Sequence, residues 1–377
     1  MIEIIVFVLA LIAALMAGVI LSSRKSMKYL YCNATVSTWE AKLISDARFS
    51  ELADAPDLRS LLSALEETEY GPLVIEARKS ETPDFMKIER DLHEHLNSKY
   101  VEILKMLPQE RKKTVERLLG RADVWNLKAV VTMIHNNVPK DIRPKELVPS
   151  PTTPMERTEM LASAGSMEEL LEFLKGSEYF DAVSKSLEEY KTKGLSTILA
   201  AVDRQYYTRL WADARGRNAQ RKILEPIVGY QIDSLNLKTI LRLKGEGASA
   251  QDIASLLIRP AHELTDPMLR EMILAEDVRS AVHMAHITAP AKALEDVMAQ
   301  VEENGLPAAE RALDEFHLKL CKWFGFTQFF SIAPALSYLV QKENEVKNLR
   351  TVIRLKAAGV EPQKIKETIT RVPKIEL

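Results

Sequence analysis

The sequence is poor in the residues that build most enzyme sites and extracellular scaffolds. It has two cysteines in 377 residues, Cys32 and Cys321, too few for a disulfide framework or a cysteine metal cluster. Aromatic residues make up only 6% of the chain and glycines number 13, while the net charge is −2. Nucleic-acid-binding proteins usually carry a clear basic excess. We therefore expect a helical protein of a reducing compartment with no nucleic-acid partner.

The loops of the common nucleotide-binding and hydrolytic folds are also missing. The sequence contains no GxxxxGK[ST], no GxSxG and no HExxH. His93 and His95 are two residues apart and would point to different sides of a helix, whereas His283 and His286 could share a face. Two ligands alone do not make a metal site. We predict no catalytic, cofactor-binding or metal-binding residue and no nucleotide bound directly, with a membrane-tethered metal hydrolase as an alternative.

Two segments of the sequence are rich in aromatic residues. The first is a basic stretch interleaved with Tyr206, Tyr207 and Trp211, and its basic residues are Arg204, Arg209, Arg215, Arg217, Arg221 and Lys222. Nearby acidic residues reduce the net positive charge of this stretch, so a solvated or partner-facing helix is favoured over nucleic-acid binding. The second is WFGFTQFF at 323–330, which we assign to the core, with contact to a partner or membrane surface as the alternative.

One long apolar run stands at the N-terminus. It covers 4–21 and would form about 27 Å of helix, near the lower limit for crossing a bilayer. Glu3 precedes it and Arg24, Lys25 and Lys28 follow, which favours a transmembrane helix within 1–26 over a secretory signal peptide. The bulk of the chain would then lie on the cytoplasmic side of the cell membrane. Met27 offers an alternative start for a wholly soluble protein.

Helical periodicity dominates the rest of the chain. Leu58, Leu61, Leu62 and Leu65 follow the spacing that places apolar side chains on one helix face, and no alternating strand pattern appears. The segment 138–154 holds five of the 17 prolines and is predicted to be a linker. The fold class is therefore all-α.

A phrase of nine residues recurs along the chain. It reads NLKAVVTMI at 126–134, NLKTILRLK at 236–244 and NLRTVIRLK at 348–356. Two further landmarks keep nearly the same interval: leucine stripes that begin at Leu58, Met167 and Val278, and acids expected to open long helices at Asp91, Asp203 and Asp314. Three landmarks in one order predict a triplicated unit, with repeats at 27–154, 155–265 and 266–377.

The phrase itself predicts a capped amphipathic helix. An acid lies three residues before each asparagine, at Asp123, Asp233 and Glu345, and is expected to stabilise a helix start. Leu237 and Leu349 belong to the expected buried stripe, and Lys238 and Arg350 to another face. Gly245, Gly247 and Gly359 are the expected helix stops.

Three stretches carry a resemblance to a known family. They are APDLRSLLSALEETEYGPLV (55–74), IDSLNLKTILRLKGEG (232–247) and FFSIAPALSYLVQKENEVKNLRTVIRLKAAGVEPQKI (329–365). They resemble the C subunit of archaeal A-type ATP synthases, in the same family as the d subunit of the vacuolar ATPase. The resemblance implies three similar helical subdomains in a pseudo-threefold funnel, with no active site.

The resemblance also implies the partners. A protein of this kind would cap the membrane proteolipid ring, receive the foot of the central stalk and couple ion flow to ATP synthesis. The apolar run 4–21 departs from the family pattern, and we expect it to enter the lumen of the ring, with anchoring beside the ring as the alternative. A membrane-anchored helical-repeat adaptor for an unrelated protein is the competing hypothesis.

Overall fold

The computed structural model describes residues 29–78, 85–216 and 220–374, together with positions 7, 11, 12, 15, 16, 18 and 27. Throughout these residues the chain forms helices joined by turns and contains no strand, which confirms the all-α prediction. The helices are α1 (29–40), α2 (Asp46–Asp54), α3 (Leu58–Ala64), α4 (Gly71–Arg78), α5 (Phe85–Met106), α6 (Gln109–Leu119), α7 (Arg121–His135), a 3-10 helix (Arg143–Glu146), α8 (Met155–Ala162), α9 (Met167–Phe173), α10 (Phe180–Lys193), α11 (Ser196–Arg215), α12 (Arg221–Gly245), α13 (Ala250–Leu256), α14 (Asp266–Leu274), α15 (Val278–Met284), α16 (Ala289–Glu295), α17 (Met298–Asn304), α18 (Leu306–Thr327), α19 (Ala333–Ala357) and α20 (Pro362–Thr368).

The predicted transmembrane segment receives no support from the structure. Most of 4–21, and the basic residues Arg24, Lys25 and Lys28, lie outside the described residues. In the part of the chain that is described, no helix combines the length and apolarity needed to cross a bilayer. The described positions in the run are helical, and the exposed apolar residues among them are Phe7, Leu11, Ile12, Leu15 and Met16.

The three leucine stripes begin where the sequence places them. Each stripe is a helix of seven residues, and these helices start at Leu58, Met167 and Val278. The residue before each start accepts a hydrogen bond from the backbone N–H three positions on, and these caps are Asp57, Ser166 and Asp277. A side-chain acceptor at this position satisfies an N–H that the helix itself leaves free.

The three asparagines of the repeated phrase make the same pair of hydrogen bonds. Each side-chain amide bonds both the N–H and the C=O of the residue 22 positions later, and the pairs are Asn126–Val148, Asn236–Ile258 and Asn348–Thr370. The donor–acceptor distances lie between 2.8 and 3.1 Å. Because an extended segment is held in the same way three times, we propose that 27–154, 155–265 and 266–377 are copies of one unit.

Replacing Asn236 with alanine should lower the free energy of unfolding by about 1–3 kcal/mol, because the buried N–H and C=O of Ile258 lose their partner. Asn348→Ala should have a somewhat smaller effect, because its amide is equally buried but Asn344 still donates to the Thr370 carbonyl. Denaturant titration of both variants measures this. A neutral result for either one would contradict the equivalence of the two sites.

The acids before the asparagines do not begin helices in two of the three copies. Asp233 lies in the middle of α12 and Glu345 in the middle of α19; only Asp123 lies in a first turn. The prediction is wrong because both helices start about three turns earlier. The buried Asp233 carboxylate instead accepts backbone N–H groups from His262 and Glu263, at 2.8 and 2.7 Å.

The proline-rich segment is more than a linker. It contains the 3-10 helix and the buried side chain of Arg143. The Arg143 guanidinium donates to the carbonyls of Val138 (2.8 Å), Ala162 (3.1 Å) and Ala164 (2.6 Å). The prolines do interrupt α-helix, as predicted, but a buried cation with three carbonyl acceptors fixes the segment against α8.

The apolar residues form two separate core clusters. The stripe residues Leu237 and Leu349 are fully buried, as predicted, but Leu237 belongs to a smaller cluster drawn from 237–313, and Leu349 to the larger one. Helices α12 and α18 pass from one cluster to the other. Gly247 and Gly359 follow α12 and α19 with φ of +74° and +71°, which confirms them as helix stops.

Candidate functional site

A basic residue of each repeated helix binds an acid of another repeat. The pairs are Lys128–Asp203 (Nζ to Oδ2, 2.5 Å), Lys238–Asp314 (Nζ to Oδ1, 2.5 Å) and Arg350–Glu89 (Nη2 to Oε2, 3.0 Å). They run from the first repeat to the second, from the second to the third, and from the third back to the first. Asp91, Asp203 and Asp314 were expected at helix starts, but they lie at least six residues inside α5, α11 and α18. The ion pairs therefore close a ring.

A second set of contacts joins each repeat to the next in the same order. A cation from each repeat donates to carbonyls at the end of the helix that precedes the leucine stripe of the next repeat. Free acceptors and the negative end of the helix dipole favour positive charge at this place. Lys244 donates to Ile273 O at 2.9 Å, and Lys356 donates to Ala53 O at 2.7 Å. Arg143 supplies this contact to α8 for the first repeat.

The contact between the third and first repeats contains a buried ion network. Lys342 of α19 is fully buried, and its Nζ bonds Glu69 and lies 2.6 Å from Glu345 Oε1. The Tyr70 hydroxyl donates to Glu345 Oε1 at 2.6 Å, and Lys342 Nζ lies 4.4 Å from the centre of the Tyr70 ring. His95 Nε2 lies 3.2 Å from Glu69 Oε2. Each charge in the network thus has a partner.

The network keeps the Glu69 carboxylate ionised. Burial raises the pKa of Glu69, but the hydrogen bond from His95 and the positive charge of Lys342 outweigh it and lower the pKa to about 2. The same surroundings raise the pKa of Tyr70 well above its usual value, first through burial and then through Glu345. The residues at 341–345 (QKENE) therefore hold α19 against the first repeat.

The three repeated helices border a pair of cavities. The larger, of about 890 Å³, is lined by α7, α11 and α12, and the smaller, of about 210 Å³, by α5, α7 and α19. Both are lined by Arg121 and Trp125. The Arg121 guanidinium pairs with Glu343 of the third repeat. Residues from all three repeats thus line two neighbouring cavities that share Arg121 and Trp125.

The segment 323–330 is largely exposed. Phe326 and Phe330 are each 60% exposed and Trp323 is 46% exposed, while Phe324 is buried. The prediction of core packing is therefore wrong for these three side chains. Asn33 of α1 donates to Ser331 O at 2.9 Å, which places this segment beside the helix that follows the apolar run. We call Tyr31, Trp323, Phe326 and Phe330 the aromatic surface.

The four histidines singled out from the sequence do not come together at one site. His95 belongs to the buried network and His93 is largely enclosed; the rings of His283 and His286 stack at 5.1 Å, with His283 Nδ1 3.9 Å from Glu295. Among the described residues no three His, Cys, Asp or Glu side chains are grouped as metal ligands.

The aromatic residues of the basic stretch around α11 belong to the core. Tyr206, Tyr207 and Trp211 are buried, so their faces are not available to stack with bases. Arg209 pairs with Glu178 at 2.8 Å, and Arg221 pairs with Glu225 at 2.8 Å. Arg217 lies outside the described residues.

Two enclosed histidines predict sensitivity to acid. Burial lowers the pKa of His93 and of His317 to about 4, assisted by Arg350 at His93 and by Arg121 at His317. Since the unfolded chain takes up a proton near pH 6.5 and the folded chain near pH 4, stability is complete above pH 6.5 and falls as the pH drops towards 4. Each histidine should contribute about 1–3 kcal/mol to this loss.

Denaturant titrations between pH 7.5 and 4.5 measure the effect. His317→Gln should flatten the decline of the free energy of unfolding, whereas the exposed His283→Gln should leave it unchanged. An unaltered slope in His317→Gln would contradict the assignment.

Sequence reasoning missed the roles of Lys342 and Arg143. The signal for Lys342 was present: it lies three residues before Glu345 in a helix whose other neighbours, Leu339 and Val346, are buried. A buried lysine on an apolar helix face needs an acidic partner, and Glu69 lies in the stretch 55–74 that carries the family resemblance. Nothing comparable in the sequence identifies Arg143.

Comparison with known proteins gives one consistent result. A sequence model of the family described as ATP synthase (C/AC39) subunit matches residues 32–368. The chain is 29% identical over 343 residues to the C subunit of the A-type ATP synthase of Methanocaldococcus jannaschii, covering 90% of this chain and 86% of that protein. It is 32% identical to the corresponding C subunits of Pyrococcus horikoshii and Thermococcus gammatolerans, over 92% of this chain and 91% of each relative.

Proposed function

Because the chain belongs to the ATP synthase (C/AC39) subunit family, we propose that it is the non-catalytic rotor subunit of an A-type ATP synthase, capping the proteolipid ring and coupling it to the central stalk. The observation that carries this proposal is a family match extending from 32 to 368, which includes all three copies of the repeated helix. No nucleotide chemistry is assigned to this chain.

The closed set of contacts suits a part that transmits torque. Ion pairs and cation–carbonyl contacts join every repeat to the next, and the buried network around Lys342 joins the last to the first. A ring of helices fastened in this way resists shear better than an open row, because no repeat is free at its edge. We therefore propose that the three repeats rotate as one rigid body.

The aromatic surface suits contact with the ring. Tyr31 is exposed on α1, and Trp323, Phe326 and Phe330 are exposed in the segment 323–330. The next residue, Ser331, accepts a hydrogen bond from Asn33 of α1, the first helix after the apolar run 4–21. Exposed apolar patches of this kind mark sites of protein or membrane contact. We propose that this end of the molecule faces the proteolipid ring at the cytoplasmic side of the membrane, and that the run 4–21 enters the lumen of the ring.

Recovery of partners from native membranes tests the proposal. Tagged protein should bring both proteolipid and central-stalk subunits with it. The competing hypothesis, a membrane-anchored adaptor, predicts instead a single unrelated protein and neither class of ATP synthase subunit.

Trp323→Ser/Phe326→Ser/Phe330→Ser should reduce the recovery of proteolipid about tenfold or more, because large apolar anchors dominate interface energetics. Recovery of stalk subunits should persist. Leu274→Ser, which removes another strongly exposed apolar side chain, serves as the matched control. Full proteolipid recovery by the triple variant would contradict the assignment of this surface.

A further inference from the structure

Two histidines lie side by side at the end of α15. His283 belongs to the last turn of this helix, and His286 follows it by three residues. The centres of their rings are 5.1 Å apart, and the ring planes are nearly parallel, with an angle of 19° between them. Both residues are exposed, and the side chain of His283 is 73% exposed. The pair therefore presents two imidazoles to solvent at one place on the third repeat.

The neighbours of the two rings determine which nitrogen of each ring is free. His286 Nδ1 lies 2.8 Å from the carbonyl oxygen of His283, which can only accept, so Nδ1 carries the proton of the neutral ring. His283 Nδ1 lies 3.9 Å from the carboxylate of Glu295 in α16, which likewise favours a proton on Nδ1. Each Nε2 is then left with a lone pair. Metal-binding histidines are oriented in this way, by a carbonyl or carboxylate acceptor at the other ring nitrogen.

The turn that carries the histidines occurs in all three repeats, and only the third repeat has histidines in it. In each copy the backbone N–H of the later residue donates to the C=O of the earlier one, at 3.1 or 3.2 Å. The corresponding pairs are Ser63 and Glu66, Glu172 and Lys175, and His283 and His286. In the second repeat the two side chains meet, since Lys175 Nζ lies 2.5 Å from Glu172 Oε2. Side chains at these two positions can therefore reach a common point.

We propose that His283 and His286 form a surface site for a divalent transition-metal or zinc ion, bound through both Nε2 atoms, with water completing its coordination. Imidazole nitrogen suits Zn²⁺, Ni²⁺ and Cu²⁺. Two such nitrogens on one zinc ion are about 3.3 Å apart, because each lies about 2 Å from the metal. Rotation of the exposed rings about their Cβ–Cγ bonds, which have broad torsional preferences, brings the two Nε2 atoms to this separation. The site does not depend on the proposed function.

The donor set decides the class of ion and its role. Mg²⁺ and Ca²⁺ prefer oxygen ligands, so two imidazoles discriminate against them. In the part of the chain that the structure describes, no third His, Cys, Asp or Glu is grouped with the pair as a ligand. A structural zinc site has four protein ligands, and this one has two, so the fold should not depend on the ion. Glu295 acts through His283 and is a positioning residue.

Calorimetric titration of the purified chain, without an affinity tag, with zinc chloride or nickel sulfate tests the site. At a pH of about 7.5, where an ordinary imidazole is neutral, we expect a single ion to bind per chain and magnesium chloride to give no binding. His283→Gln and His286→Gln should each weaken zinc binding about tenfold or more, because a two-point attachment becomes a single one. Glu295→Gln should weaken it about tenfold and keep the same stoichiometry.

His135→Gln is the matched control, since it removes an exposed imidazole of the first repeat and should leave zinc affinity unchanged. Electron paramagnetic resonance of the Cu²⁺ complex should show coupling to two imidazole nitrogens in the wild type and to one in His283→Gln or His286→Gln. The metal-free variants should keep the denaturation midpoint of the wild type. Absence of saturable zinc or nickel binding by the wild type would overturn the inference, as would unchanged affinity in both histidine variants.

Discussion

Replacing Lys342 with methionine is expected to lower the free energy of unfolding by about 3–5 kcal/mol. The methionine fills a similar volume, but Glu69 and Glu345 lose the cation that lies between them. Glu345 is itself 3% exposed, so its charge cannot be compensated by water.

Lys347→Met is the matched control for this variant. Lys347 lies further along α19, pairs with Asp314 at 2.6 Å and has a side chain that is 57% exposed. Exposed pairs contribute about 0–1 kcal/mol, so this change should be nearly neutral. Equal effects of the two substitutions, measured by denaturant titration, would show that the buried network does not hold the third repeat to the first.

Leu237→Ala and Leu349→Ala should each lower the free energy of unfolding by about 2–5 kcal/mol, because each removes a fully buried side chain and leaves a cavity. The two residues occupy equivalent positions in different core clusters. Hydrogen exchange should therefore show loss of protection mainly within 237–313 for Leu237→Ala and mainly in α19 and the first repeat for Leu349→Ala. Leu274→Ala, at an exposed leucine, should be neutral. Loss of protection in the same helices for both variants would contradict the division into two cores.

The periodic part of the fold was predictable from the sequence. Helical spacing fixes which side chains share a face, so the buried stripe at Leu237 and Leu349 follows from the sequence alone. The same spacing gives the starts of the leucine stripes at Leu58, Met167 and Val278. Recurrence of the same phrase likewise predicts recurrence of its environment, and the asparagine contacts repeat at 22 residues in all three copies.

The start of α12 was not predictable in the same way. Pro226 and Gly229 both argue against a helix at this point, because proline removes a backbone donor and glycine is a poor helix former. Tertiary packing overrides both preferences. Gly229 in particular allows the His262 ring to approach, since a Cβ there would lie 2.5 Å from His262 Cγ.

The contacts of the candidate site were even harder to predict from the sequence. Ion pairs such as Lys238–Asp314 join residues 76 positions apart, and sequence spacing does not specify which charges meet across helices. The aromatic segment 323–330 was assigned to the core because apolar residues are usually buried. A surface kept apolar for a partner cannot be told from a core by composition alone.

Disulfide crosslinking in the assembled complex tests the rotor assignment most directly. Thr327→Cys adjoins the aromatic surface and Asp141→Cys adjoins the large cavity; both positions are exposed, whereas the native Cys32 and Cys321 are buried. With cysteines scanned along the loops of the ring and the foot of the stalk, we expect Thr327→Cys to join the proteolipid and Asp141→Cys to join the stalk. ATP hydrolysis should continue after both crosslinks form, because the joined parts turn together. Crosslinks to a stator protein, or hydrolysis that stops on oxidation and returns on reduction, would contradict the account.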